Sequence, residues 1–208
     1  MEKSPFDVKR EKHKVRERIW QSMEKSGVTL PPFPPRGRIP NFKGADLAAR
    51  KLDLIPEYRS SDKILVSPDS PQIHVREKVL SDKKTLIVAT PRLKDGFVVV
   101  EPENLPEFLM QVVTIKGTYK YGRLVNLLPS VDFVVEGCVA VGLSGYRLGK
   151  GGGYGDVEIA LAKAVNPNVK IAVTCHSMQV LPEDVPHEEK DQRVDYILTE
   201  KGLLKVKK

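Results

Sequence analysis

Apolar positions near the start of the chain recur at helical spacing. Val15, Ile19 and Met23 stand at i, i+4 and i+8 within residues 4–27, and Gly27 closes the pattern, which predicts one amphipathic helix. Residues 28–44 carry prolines at 31, 32, 34, 35 and 40. Such a run excludes helix and central strand, so it is expected to wrap the surface in extended form. Helical spacing returns over 45–55. From residue 63 the period changes. Short apolar runs at 63–67, 84–91, 95–102, 132–142, 170–176 and 194–200 read as strands. Several are apolar throughout, as strands covered on both faces are. Between them, 70–83 (Ser70 as N-cap, Pro71 in the first turn), 104–113 and 156–165 read as helices. Residues 114–128 fit strand, hairpin or loop. Strands alternating with helices predict an α/β fold, a three-layer sandwich with a mainly parallel sheet flanked by helices. The chain is read as one domain over 1–208, with the N-terminal helix and Pro-rich wrap at 1–44.

One stretch stands apart. Residues 147–156, RLGKGGGYGD, hold five glycines between a predicted strand and a predicted helix. In open α/β sheets ligands collect beyond the carboxyl ends of the strands, where helix N-termini point free N–H groups outward. Glycines let successive amides surround an anion. Asp156 at the helix start is stabilised by the helix dipole and is also a candidate Mg2+ ligand. The stretch is not a Walker loop, because Ser144 replaces the first glycine and Gly151 the hydroxyl residue. It is not a dinucleotide fingerprint either, because Tyr154 stands where the third glycine belongs.

Composition narrows the partners. Among 208 residues, 34 Lys and Arg outnumber 27 Asp and Glu, for a net charge of +7. That balance favours anionic ligands: nucleotides, polyglutamylated cofactors or nucleic acid. Cys138 and Cys175 sit in apolar runs and read as reduced core residues. The four histidines, His13, His74, His176 and His187, show no metal-ligand spacing with them, so no zinc site is expected. No apolar run is long enough to span a bilayer and the charged N-terminus has no signal-peptide core, which makes the cytoplasm the expected compartment.

The glycine stretch and its surroundings resemble the 5-formyltetrahydrofolate cyclo-ligase family. The resemblance is carried by the run from Tyr146 through Asp156, by Lys12 and Arg16 in KHKVR, by Gln179 with the Leu-Pro at 181–182, and by PHEEKDQRVDYILTE at 186–200. RIPNFKG, KKTLIVATPRL and the Asp-then-Glu opening of the helix after the loop (Asp156, Glu158) are similar to the divergent methenyltetrahydrofolate synthetase-domain branch. The resemblance implies a cyclo-ligase fold of the NagB/RpiA type, and a ligase that uses ATP and Mg2+ to convert 5-formyltetrahydrofolate, or a related formyl-pterin, to the 5,10-methenyl form. ATP would phosphorylate the formyl oxygen, and N10 would close the ring as phosphate leaves.

The same resemblance implies roles for residues. Lys12, Arg16, Arg147, Gly149, Lys150, Gly151, Gly152, Gly153, Tyr154 and Gly155 would bind ATP. Asp156 and Asp191 would hold the metal, and Asp69, Phe42 and Tyr154 would meet the pterin. Each position has a structural alternative. Lys12 and Arg16 lie on the apolar stripe of their helix and can be rim cations; Arg147 can pair with Glu136 or Asp132; Asp191 can serve a turn. The chain departs from the family pattern at Gly155 (a Tyr), Val157 (an Arg), Asp69 (a Glu), and Gly137 and Val141 (Pro and Phe). The second functional reading is therefore a catalytically silent relative that binds nucleotide or RNA, with KGTYKYGR at 116–123 its one basic-aromatic segment.

Overall fold

The computed structural model describes residues 5–103 and 105–207. Ser4, Asn104 and Lys208, where two predicted helices begin and the basic tail ends, lie outside the described residues.

Helix α1 runs Pro5–Lys25, with Ile19, Trp20 and Met23 buried. The Pro-rich segment returns on itself: strands β1 (Thr29–Leu30) and β2 (Asn41–Phe42) form a two-residue antiparallel clip at its ends. Then come α2 (Ala45–Arg50), a 3-10 turn (Lys51–Leu54), α3 (Pro56–Arg59), β3 (Lys63–Val66) and α4 (Ile73–Ser81). The cap predicted at Ser70 is displaced. Asp69 occupies the cap position of a 3-10 turn over Ser70–Gln72 that leads into α4, and its side chain caps nothing because it is drawn to Lys150.

Strands β4 (Thr85–Ala89) and β5 (Phe97–Val100) follow as predicted. The helix predicted over 104–113 does not form; its described part holds only a 3-10 turn at Leu109–Gln111, with Phe108 extended. Pro106 drives Leu105 out of the helical region. A helix forms instead in the stretch left open, as α5 (Ile115–Tyr121), because the Thr114 side chain accepts the Gly117 N–H and caps it. Strand β6 (Arg123–Val125) follows. The run 132–142 divides into β7 (Phe133–Gly137) and β8 (Ala140–Gly142), which join different sheets. The chain ends through β9 (Arg147–Leu148), α6 (Tyr154–Val165), β10 (Lys170–Thr174), β11 (Val180–Leu181), β12 (Tyr196–Leu198) and β13 (Leu203–Lys205).

The main sheet has the order β13-β12-β10-β7-β3-β4-β5-β6. Its centre, β12-β10-β7-β3-β4, is parallel, while β13 pairs antiparallel with β12, β5 with β4 and β6 with β5. Period-two alternation assigns its two faces. Ile64, Val66, Phe133 and Val135 pack with Leu52, Tyr58, Val75 and Val79 of the α2–α4 layer. Leu65, Val134, Ile171 and Val173 pack with Ile159 and Ala162 of α6. A third cluster joins α1 and Phe42 to Ala140, Leu148 and Leu181 of the small sheet β11-β8-β9. The expected α/β fold, a mainly parallel sheet flanked by helices, is present, and α1 lies beside the strands that lead into the glycine loop. No helix of the described residues is long and apolar enough to cross a membrane.

Candidate functional site

The glycine loop joins β9 to α6 at one end of the sheet. Gly151 (φ 112°) and Gly153 (φ 75°) take left-handed backbone that a side chain would strain, and Gly153 is the cap residue of α6. Among the described residues, the backbone N–H groups of Gly151, Gly152, Gly153, Tyr154 and Gly155 donate to no backbone carbonyl. They form a run of free donors at the N-terminus of a 12-residue helix, an arrangement suited to an anion. The Tyr154 ring lies beside Gly152 and is 38% exposed.

Four cations frame this run. Arg16 reaches the loop from α1 and donates Nε to the Gly149 carbonyl at 2.7 Å. One turn earlier Lys12 is buried and donates to Glu188 (2.8 Å) and Asp191 (2.5 Å), while Asp191 also accepts the Glu188 N–H. Burial pulls the Lys12 ammonium down, but its bonds to Asp191 and Glu188 outweigh this and leave it above its ordinary value. Lys150 stands open to solvent and its Nζ meets Asp69 Oδ1 at 2.7 Å. Arg147 alone is sealed: its side chain is 2% exposed and its Nη2 lies 3.4 Å from Asp156 Oδ1. Asp156 lies in the first turn of α6, accepts the Gln192 N–H as well, and keeps 24% of its side chain exposed.

Beneath Arg147 lie two buried carboxyls, Glu136 on β7 and Glu158 on α6. Glu136 Oε1 and Glu158 Oε2 are buried without a hydrogen-bond partner among the described residues, which disfavours the charged form of each. Burial pushes Glu136 up to about 7, with Arg147 opposing and Asp69 adding to the shift. Burial and the charge of Glu136 hold Glu158 well above the usual carboxylate range. Gly155 packs against this group: a Cβ there would stand 2.4 Å from Arg147 Nη2 and 3.0 Å from Glu136 Oε2. The glycine that departs from the resembled pattern thus makes room for a guanidinium pinned between acids.

The sequence-predicted residues do not all meet. Lys12, Arg16, Arg147, Lys150, Asp69, Asp156, Asp191 and the glycines converge on the β9–α6 loop. Phe42 does not line it; it is fully buried, its ring edge-on to His176 with centroids 5.9 Å apart. Of the two partners considered for Arg147, Asp132 is engaged elsewhere, accepting the N–H groups of Asp62 and Lys63. Sequence reasoning named Glu136 only as a partner for Arg147 and gave Glu158 and Glu188 no role in the site. The signal for Glu136 was a lone carboxylate in an otherwise apolar strand, and for Glu158 a carboxylate on the buried stripe of its helix with Ile159 and Ala162. A broad hollow of about 410 Å3 opens at Glu188, Glu189 and Lys190 and is lined by no glycine-loop residue. The site is therefore defined by charge and free amides rather than by a deep cavity.

The model of the 5-formyltetrahydrofolate cyclo-ligase family matches residues 8–200. The methenyltetrahydrofolate synthase domain-containing proteins of Mus musculus and Homo sapiens are 40% and 38% identical over 199 residues, which is 90% of this chain in each case. Those alignments cover 53% and 51% of the relatives, so the chain spans about half the length of the curated relatives it matches. Among solved structures, a 5,10-methenyltetrahydrofolate synthetase from Aquifex aeolicus has the same fold, with a TM-score of 0.59 at 21% identity over 95% of this chain and 93% of that one. Another, from Mycoplasma pneumoniae, has a TM-score of 0.55 at 13% identity over 91% and 98% of the two chains.

Proposed function

The chain belongs to the 5-formyltetrahydrofolate cyclo-ligase family, and we propose that it acts as a single cyclo-ligase-like domain, an ATP- and Mg2+-dependent ligase that closes a 5-formyl-tetrahydropterin to the 5,10-methenyl form. One observation carries the reading: five consecutive amides without carbonyl partners at a helix start, with Arg16 and Lys150 beside them and Asp156 in the first turn. In this reading the loop amides, Arg16 and Lys150 receive the phosphates. Lys12 and Asp191 set the position of α1 over the loop, and Arg147 holds Asp156 from behind. Tyr154 and Asp69, at the mouth, face the pterin. Transfer of the γ-phosphoryl group to the formyl oxygen makes a leaving group of that oxygen; attack by N10 on the formyl carbon then expels phosphate. Such chemistry asks the protein for alignment and positive charge rather than for a nucleophile.

The donor set fits Mg2+ in one way only. No cluster of three or more His, Cys, Asp or Glu side chains among the described residues can cage a metal. Mg2+ is commonly held by one or two carboxylates together with substrate phosphates and water, which is what a partly exposed Asp156 beside an anion cradle offers. The ion would supply charge neutralisation at the phosphates.

The test is direct. The purified protein is mixed with 5-formyltetrahydrofolate and MgATP, and the absorbance of the methenyl product is followed. Asp156→Asn should lose turnover while its circular dichroism and melting temperature stay close to wild type. The alternative, a silent relative that binds nucleotide or RNA, has its own surface feature: exposed Tyr119 in the basic segment Lys116–Arg123. It is favoured if no methenyl product appears while calorimetry shows RNA binding. We place the protein in the cytoplasm on the same reading.

A further inference from the structure

We infer that the Asp69–Lys150 ion pair is a gate on the phosphate cradle: in the ligand-free protein Asp69 occupies the cation that the triphosphate needs, and nucleotide binds by displacing it. The inference rests on the ligase reading of the loop and adds a contact that reading does not require.

The two partners are 81 residues apart and stand on opposite lips of the site, Asp69 after β3 and Lys150 in the glycine loop. They differ in stiffness. The turn that bears Asp69 is held from below by Arg76, a fully buried guanidinium that donates to the carbonyls of Ser67 (2.7 Å), Asp69 (3.1 Å) and Val113 (2.7 Å). Ser67 Oγ fixes the second carboxylate oxygen, Oδ2, at 3.0 Å. Lys150 has no such frame: its side chain is 44% exposed and the next three residues are glycines. A rigid acceptor therefore faces a mobile donor, and the Lys150 side chain is the part free to move. The other cations do not offer the same exchange. Arg147 is sealed with Asp156 over the buried acids, Lys12 is tied to two carboxylates, and Arg16 is bound to a carbonyl. Lys150 alone couples solvent exposure to a carboxylate partner across the mouth. When the phosphates take Lys150, the fixed Asp69 carboxylate is left without its cation on the side assigned to the second substrate, so nucleotide would free it for that substrate.

The experiment is MgATP binding by calorimetry, without pterin, to wild type, Asp69→Asn, Lys150→Met and the double variant, with melting temperatures checking that each is folded. An exposed pair of this kind resists displacement by roughly a two- to fivefold factor in affinity. Asp69→Asn is expected to bind MgATP more tightly by about that factor at low salt, with the gain shrinking as salt rises. Lys150→Met should bind more weakly, and Asp69→Asn should add nothing on top of it. Equal or weaker binding by Asp69→Asn, while wild type binds, overturns the gate and leaves the ligase reading standing. So does an equal gain in the Lys150→Met background, which would report only the general field of the carboxylate. Should the Asp69→Asn substitution disturb the turn, Asp69→Ser repeats the comparison. If neither wild type nor any variant binds MgATP, the ligase reading falls and the gate falls with it.

Discussion

The buried carboxyl pair gives the protein a pH dependence of unusual sign. Burial raises Glu136 from an ordinary 4.5 to about 7 in the folded protein. A raised folded value means that between these limits the native state keeps a proton that the unfolded chain has released. The stabilisation is complete below about pH 4.5 and is lost as the pH climbs to about 7. At about 1.4 kcal/mol per pH unit, the rise from 4.5 to about 7 amounts to about 3 kcal/mol, or roughly 5–10 °C in melting temperature for a chain of this size. Glu158, held well above the ordinary range, adds in the same direction. His176, lowered by burial, works the other way, since stability from a depressed histidine grows as the pH rises toward 6.5. Comparison with Glu136→Gln/Glu158→Gln cancels that background. Scanning calorimetry from pH 5 to 8 should show the melting point of wild type falling relative to the double variant, most of it before pH 7.5. Single Glu158→Gln removes one of the two carboxyls and should keep the part of the fall that burial of Glu136 produces. If wild type and the double variant run parallel across that range, burial does not hold the carboxyls protonated and the account of the site floor is wrong.

Two further outcomes follow from the packing. Lys12→Ala leaves Glu188 and Asp191 facing each other without their cation; it should cost about 2 kcal/mol at pH 7 and less at pH 4, read by urea melts, and should weaken MgATP binding through the displaced α1. Gly155→Ala gains up to about 1 kcal/mol of helix propensity but drives a methyl group to 2.4 Å from a guanidinium with no room to retreat, so a net loss of about 1–2 kcal/mol is expected, and a melting point at or above wild type would contradict it.

The fold was legible where the hydrophobic pattern has one period, and illegible where tertiary contacts decide. The strands of the parallel centre could be read because both faces are covered, which leaves runs such as Phe133–Val135 apolar throughout. The helix over 115–121 was hidden because Gly117 sits inside it, and propensity counts that against a helix. The glycine is there because a Cβ would come within 2.1 Å of the Gln111 carbonyl, a contact across the turn that no local pattern reports. The segment 104–113 misled in the opposite way: its apolar spacing is helical, yet Val112 and Val113 are buried as neighbours while Phe108 and Met110 face solvent. In the site, the glycines and their cations were visible because the local string carries them. Glu136 and Glu158 were not, because what defines them is mutual: each is a single acid in its own element, and only the packing of α6 on β7 makes them a pair.

The charge of the site is not the charge of the chain. The protein carries +7 overall, but around the glycine loop four cations, Lys12, Arg16, Arg147 and Lys150, meet six acids, Asp69, Glu136, Asp156, Glu158, Glu188 and Asp191, two of which burial pushes toward the protonated form. The cradle is therefore close to electrically balanced before any ligand arrives. A bare triphosphate, several times negative, would meet lysines already paired with carboxylates. A triphosphate that brings a divalent ion gives the partly exposed Asp156 a further partner and lowers its own charge at once, so on this reading the metal and the nucleotide are recognised as one species rather than in turn. The same balance gives the Asp69–Lys150 contact its leverage. Where Lys12 and Arg147 are already committed to carboxylates, the charge that Lys150 adds to Arg16 and the loop amides depends on whether its exposed pair with Asp69 gives way.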